Sequence, residues 1–461
     1  MADKNRVSTN PGKNDPREIF GWVMYDWANH AFFAVVLGVL VGSYLTELAQ
    51  QAVGENGVVI RLGGYDLVTA KSMFSYSVGL SVFLQIFVLP VMGAIADYTH
   101  LKKTFMAVFC YLGAMGCILL YFAEGDRYLF GSVAFILANL SAGASIVFFN
   151  SYLNDITTED NRDKVSSWGF ATGYTSATLT LVLSFLLLSN AGRLGIAVET
   201  AERLCFLGSG LWWAVFSIFT FKLLKNRLPA RSAPADKSII AAGLSEVVNT
   251  FRELFKLKYT LRFLAAYLLY NDGIQTVIAM SGVFITQELF VAKGLPPDNS
   301  VLFIAFLIAQ VVGIVGALTF ERIAHYSSSK TAILISLAIW SGIVIYGFAF
   351  LQTLNQAYAM SGAIGFVLGG SQALSRSLFS QMIPKGRESA FFGIYAISER
   401  GTSWLGPIVF GLVAQLTNSY RPAILALIVF FVVGSLILLF TNTNKAIQEA
   451  ANEPPENEAL A

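Results

Sequence analysis

Apolar runs of about twenty residues recur along almost the whole chain, and each is long enough to cross roughly 30 Å of hydrocarbon as a helix. Twelve can be placed, the first at 19–48 and the last at 421–440. Water is absent from the bilayer core, so each run must pair its own backbone groups, which restricts it to a helix. Only 13% of the 461 residues are charged, against about 25% in a typical soluble protein. The expectation is an all-α membrane protein whose surroundings are the lipid bilayer.

The longest polar interval, 225–259, divides the runs six and six. This organisation predicts a tail at 1–18, a six-helix bundle at 19–224, a linker at 225–259, a second bundle at 260–441 and a disordered acidic tail at 442–461. Within the linker Ile240, Leu244, Val247, Val248, Phe251, Leu254 and Phe255 fall at helical spacing among charges. That pattern is an amphipathic helix at the membrane surface, serving as a connector or as a partner-binding element. Seven of the 31 basic residues fall in outer loops and two, Arg376 and Arg400, inside spans. The rest crowd the side that carries both termini, which the positive-inside rule makes cytoplasmic. No cleavable signal is visible, and the compact loops favour a bacterial inner membrane.

One unit is written twice. Residues 150–180 and 369–407 each carry a helix bearing polar groups, a tight charged turn, and a second helix that opens with an aromatic residue beside a glycine. Two related halves imply pseudo-symmetric six-helix bundles, the build of a transporter that works by alternating access.

Ionisable residues inside a membrane are costly and mark functional sites. Asp26, Asn29 and His30 lie three and four apart and share one helical face. Span seven carries Asn271, Asp272 and Gln275, with Gly273 placed to let the helix break and expose carbonyls. Asn150 and Asn154 sit in span four, where they bind solute or bridge helices. Gln372 and Arg376 lie four apart in span ten, and Glu399 and Arg400 adjoin in span eleven. By depth, Arg376 and Glu399 meet as an ion pair, either structural or substrate-binding. Arg400 also needs an anion. Asp26, Asp272 and Glu399 are the candidate proton carriers.

Asp97 ends span two, following Gly93, and the turn to span three holds Lys102 and Lys103. A carboxylate there caps the neighbouring helix and pairs with a lysine, latching the halves in one conformation. The corresponding turn in the second half has His325 where an acidic residue is expected, so its latch is weaker or built on Glu321.

Taken together, Tyr25-Asp26-Trp27-Ala28-Asn29, Phe149-Asn150, Tyr270-Asn271-Asp272-Gly273-Ile274-Gln275, Gly369-Gly370-Ser371-Gln372-Ala373-Leu374-Ser375-Arg376 and Ser398-Glu399-Arg400-Gly401-Thr402-Ser403-Trp404 resemble the vacuole effluxer-like, autophagy-related family of the major facilitator superfamily. The resemblance runs from Gly21 to Gly411 and departs from the family pattern at His30, Glu321 and His325. It implies the major facilitator fold and movement of amino acids across a membrane.

The function expected is therefore secondary transport of a small solute, an amino acid or related zwitterion or anion, possible coupling to a proton included. Arg376 or Arg400 would hold a carboxylate and Asp26 or Asp272 an amine. The alternatives are export of an amphipathic drug-like or lipid-like molecule, and a receptor that kept a transporter fold. An enzyme is disfavoured, because the three histidines are scattered and no nucleophile, phosphate or metallopeptidase motif is present. Neither cofactor nor metal is expected; the three cysteines lie singly in apolar runs. The net charge of +2 is not gathered on one face, which gives no reason to expect a nucleic-acid partner. The chain is expected to act as a monomer.

Overall fold

The computed structural model describes residues 13–452, apart from 55–56, 63–64, 71–72, 98–100, 227–238, 296–298, 401–404 and 418. Some side chains within described helices, Glu399 and Arg400 among them, also lie outside the description.

The first span starts at α1 (Pro16–Ala31), passes through a π-helical stretch at Phe32–Leu40 and ends as α2 (Val41–Val53). Its start follows a local rule: Asp15 accepts a hydrogen bond from the Arg17 N–H at 3.0 Å, and Pro16 occupies the first helical position. Helices α3 (Met73–Asp97), α4 (Lys102–Leu120), α5 (Tyr128–Ile156), α6 (Arg162–Ser189) and α7 (Val198–Leu223) complete the first half. The connector holds α8 (Ile239–Lys256). The second half has α9 (Lys258–Leu289), α10 (Asn299–Tyr326), α11 (Ser329–Phe350) and α12 (Leu354–Gln381). Its eleventh span is shared by α13 (Glu388–Arg400) and α14 (Leu405–Thr417), and its twelfth by α15 (Tyr420–Ala426) and α16 (Ile428–Phe440).

Among the described residues, ten spans are long and apolar enough to cross a membrane by themselves. The 28-residue α12 has the length but is diluted by Gly369, Gly370, Ser371, Gln372 and Arg376. A helix this polar is tolerable only where protein covers it, and all five of these residues are buried.

Buried apolar side chains form two main clusters, one centred on Trp22, Phe149 and Trp213 in the first half, the other on Phe263, Trp340 and Phe431 in the second. The duplication reappears as chemistry. Lys103, second residue of α4, donates to the Leu224 carbonyl at the end of α7 (2.6 Å). Lys330, second residue of α11, donates to the Leu439 and Thr441 carbonyls at the end of α16 (both 2.8 Å). Each ammonium satisfies carbonyls that a helix C-terminus leaves open, and complements the negative end of its dipole.

Two expectations are corrected, and two further features lie beyond them. The connection near residue 60 is an antiparallel hairpin, β1 (Val58–Leu62) and β2 (Tyr65–Thr69), whose signal was a Gly-Gly pair between β-branched runs. The chain beyond residue 442 opens as α17 (Thr443–Asn452), because Ala446 and Ala450, four apart, are buried there; residues 453–461 lie outside the description. Helix α9 does not break at Gly273. A Cβ there would come within 2.9 Å of the Phe430 Cβ, so the glycine serves close packing on α16. Finally, α8 docks as well as facing out: Thr250 accepts a hydrogen bond from Arg387 Nη2 at 2.7 Å and Glu253 pairs with the same guanidinium, while Val248 and Phe255 stay exposed.

Candidate functional site

Arg376 projects from α12 of the second half into the first half. Its Nε donates to Ser166 Oγ at 2.9 Å and its Nη2 to the Ser166 carbonyl at 2.8 Å. Nη1 lies 3.4 Å from Asn150 Oδ1 and 3.7 Å from Asp26 Oδ2. The guanidinium is covered by the rings of Phe170, Trp22 and Phe149, with centroids 4.4, 4.8 and 5.5 Å away. Aromatic faces and a carboxylate together make a buried arginine affordable in a site only a few per cent exposed. Asp26 Oδ2 accepts no hydrogen bond, so its pairing with Arg376 is purely ionic at a loose distance.

Room for this pair comes from α6. A Cβ on Gly169 would strike Asp26 Oδ2, and one on Gly173 would strike the His30 ring. Asp26 and His30 are one turn apart on α1, and Gly169 and Gly173 are one turn apart on α6, so each bulky residue meets its own glycine.

The pair opens on a cavity of about 220 Å³ between the halves. Asp26, Asn29, His30 and Asn150 line it from the first half; Gln275, Gln372 and Arg376 line it from the second. Phe33, Ile146, Ile278 and Leu368 supply apolar wall. Behind that wall Asn271 Oδ1 accepts from Gln372 Nε2 at 2.8 Å, which fixes the amide facing the cavity.

Thus six of the ten expected solute contacts converge: Asp26, Asn29, Asn150, Gln275, Gln372 and Arg376. Asn271 stands behind them. Asp272 is a correction, because its Oδ2 accepts the Gly406 N–H at 2.9 Å near the start of α14 and it does not line the cavity. A carboxylate at a helix N-terminus answers an unpaired donor and the positive dipole end. The Glu399 and Arg400 side chains fall outside the description, so the expected Arg376–Glu399 pair does too; the carboxylate described beside Arg376 is Asp26. Residue-by-residue reading missed Ser166 and the ring cover of Arg376, and put His30 on the face of Asp26 without saying what it packs against. The matched i, i+4 spacings on α1 and α6 were the signal for the last.

On the side that carries both termini the halves are sealed together. Both oxygens of Asp97 accept N–H donors from the first turn of α13, Ser389 at 3.1 Å and Ala390 at 2.9 Å. Gly93, one turn earlier on α3, lies so close that a Cβ would strike the Ser389 carbonyl. Asn154 Nδ2 donates to the Ser380 carbonyl at 2.9 Å, and Ser389 Oγ meets Ser151 Oγ at 3.1 Å. The lysine pairing expected for Asp97 is corrected: Lys102 binds Asp155 at 3.0 Å, and Lys103 caps α7. In the second half the matching contact is Ser329 Oγ to Asp163 Oδ2, 2.7 Å, while His325 is exposed.

A second hollow, about 320 Å³, lies between α2, α7 and the loop at Gly125, lined by Glu47, Glu124 and Glu199, with Arg203 paired to Glu124. It lies within one half and touches neither Asp26 nor Arg376, so motion between the halves would not work on it.

Comparison with known proteins agrees with this architecture. The model of the family described as vacuole effluxer Atg22 like matches residues 14–162 and 154–451. An uncharacterized MFS-type transporter, YxiO of Bacillus subtilis, is 28% identical over 438 residues, covering 94% of this chain and 97% of its own. Autophagy-related protein 22 of Coccidioides immitis is 26% identical over 538 residues, covering 93% and 87%. Among solved structures, the Escherichia coli fucose:proton symporter superposes with a TM-score of 0.64 at 12% identity, covering 93% of this chain and 98% of that one. The human organic anion transporter MFSD10 gives 0.64 at 14%, covering 93% and 100%. These likenesses establish the fold, and the match of the family model across nearly the whole sequence establishes that the chain belongs to the vacuole effluxer Atg22-like family, on a major facilitator scaffold.

Proposed function

We propose that this chain carries a small zwitterion of the amino-acid type across a membrane by alternating access, with the cavity at Asp26 and Arg376 as its binding site. The observation that carries this reading is a buried acid on one half loosely paired with a buried base on the other, both lining one small hollow. A carboxylate and an ammonium a few ångströms apart match such a pair in sign and spacing. Family membership and the MFS-type relative support transport; none of the relatives named above is an enzyme. Size supports a small solute, since pockets for drug-sized ligands run from about 300 to 1,000 Å³ and this one holds about 220 Å³.

Within this reading Arg376 receives the carboxylate and Asp26 the amine, with Asn29, Asn150, Gln275 and Gln372 completing the polar lining. Asp97, Gly93 and the turn bearing Lys102 and Lys103 form the gate on the terminal side, taken as cytoplasmic. Asp26 is the carrier of any coupling proton, since it lines the cavity and its Oδ2 accepts no hydrogen bond. The purified chain in liposomes, given radiolabelled amino acids and their 2-hydroxy analogues with and without a pH gradient, tests both parts. Amino-acid uptake that Arg376→Ala abolishes is expected; no uptake of any amino acid refutes the substrate, and uptake of the 2-hydroxy analogue that ignores the gradient refutes coupling.

A further inference from the structure

We propose that His30 selects a substrate whose cationic end carries N–H donors, a primary ammonium, over a quaternary ammonium or a hydroxyl of similar shape; this rests on the zwitterion reading above. The His30 Nδ1 lies 2.8 Å from the Asp26 carbonyl oxygen and 3.0 Å from Asn29 Oδ1. A backbone carbonyl can only accept, so Nδ1 carries the proton, and in the neutral ring the lone pair falls on Nε2. Nε2 has no partner among the described residues, while the ring lines the cavity. The imidazole therefore offers the solute one acceptor of fixed tautomer.

The ring is held in place. Gly173 supplies the space it fills, and Tyr174 and Phe33 meet it edge-on with centroids 5.9 and 6.3 Å away. Asp26, one turn earlier on the same face, is the second acceptor, so an ammonium between them meets a carboxylate and an imidazole nitrogen together. Charge and aromatic walls attract any cation alike. Hydrogen-bond acceptors tell three N–H donors from none, because a methylated ammonium leaves them desolvated and unanswered.

The test uses the full chain in liposomes. The standard amino acids are screened one by one, and the best carried is compared with its N,N,N-trimethyl betaine and its 2-hydroxy acid. The unaltered chain is expected to prefer the primary amine by about ten- to a hundredfold. His30→Ala should lower that ratio about tenfold through weaker binding of the amine alone, and His30→Gln, whose amide oxygen can accept, should restore part of it. His30→Ala combined with Gly173→Ala refills the void, and thermal unfolding of each variant checks folding. A betaine carried as well as its parent amine, or a ratio that His30→Ala leaves unchanged, overturns the role of His30 while the amino-acid reading stands. No uptake of any amino acid overturns both.

Discussion

Asp97 gives the most direct test of the sealed face. Its two carboxylate oxygens receive backbone N–H donors at 3.1 and 2.9 Å from the second and third residues of α13, so it acts as an N-cap supplied by the opposite half. Hydrogen bonds to a charged group contribute about 1.5–3 kcal/mol each, and a carboxylate at a helix N-terminus about 0.3–1 kcal/mol more. Once the halves part, water serves the same donors and the carboxylate, so only the difference between states counts. Taking the low end, Asp97→Ala costs the sealed state about 3 kcal/mol, which shifts the equilibrium roughly a hundredfold toward the parted one. Asp97→Asn keeps one neutral acceptor and should shift it roughly tenfold. Leu368→Cys provides a reporter, since Leu368 lines the cavity and the native Cys110, Cys117 and Cys205 are buried. A membrane-impermeant thiol reagent applied from the side of the termini should label it slowly in the otherwise unaltered chain. Adding Asp97→Ala should accelerate labelling by up to about a hundredfold, with Asp97→Asn between. Rates within about twofold of each other across the three would refute the view that this cap holds the halves together.

Two further substitutions separate roles that the site assigns to neighbouring groups. Gly93→Ala should open the same face without touching a charge, because the added Cβ would lie 2.9 Å from the Ser389 carbonyl carbon, and backbone cannot yield cheaply; combined with Asp97→Ala its effect on labelling should be less than additive, since both break one contact. Asp272→Ala should lower thermal stability by about 1–3 kcal/mol through loss of the α14 cap and leave amino-acid affinity nearly unchanged, whereas Asp26→Asn should do the reverse; a large affinity loss in Asp272→Ala with stability intact would return that residue to the binding site.

What the sequence made legible, and what it hid, follow from geometry. Spans are readable because the bilayer forces each to satisfy its own backbone, and depth is readable at about 1.5 Å per residue. Those rules mark Asp26, Asn150, Gln372 and Arg376 as polar groups inside spans and so as candidates. They do not say which helix stands opposite. Asp272 has the right depth, but Gly406 takes its carboxylate, and the described neighbours of Arg376 come from the first half, where depth alone suggested Glu399. Glycine spacing carried part of the missing information: Gly169 and Gly173 repeat the four-residue interval of Asp26 and His30 and so identify the facing helix.

The charges described at the cavity also bear on what the carrier can move without help. Asp26 and Arg376, one of each sign, line it, so the charges described there balance in the empty site. The bonds of Arg376 to Ser166 are short, while its approaches to Asn150 and Asp26 are 3.4 and 3.7 Å. A substrate carboxylate can therefore replace the two long contacts and leave the Ser166 anchor in place. Asp26, released from Arg376, then faces the substrate's ammonium. A zwitterion leaves the balance of this pair unchanged, and neither the loaded nor the empty pair carries an uncompensated charge through the low-dielectric middle of the membrane. An anion without an amine would leave Asp26 unanswered, a buried charge costing several kcal/mol unless a proton accompanied it. On this reasoning zwitterions run uncoupled and deaminated acids require a proton, and comparing the gradient dependence of an amino acid with that of its 2-hydroxy analogue measures the difference.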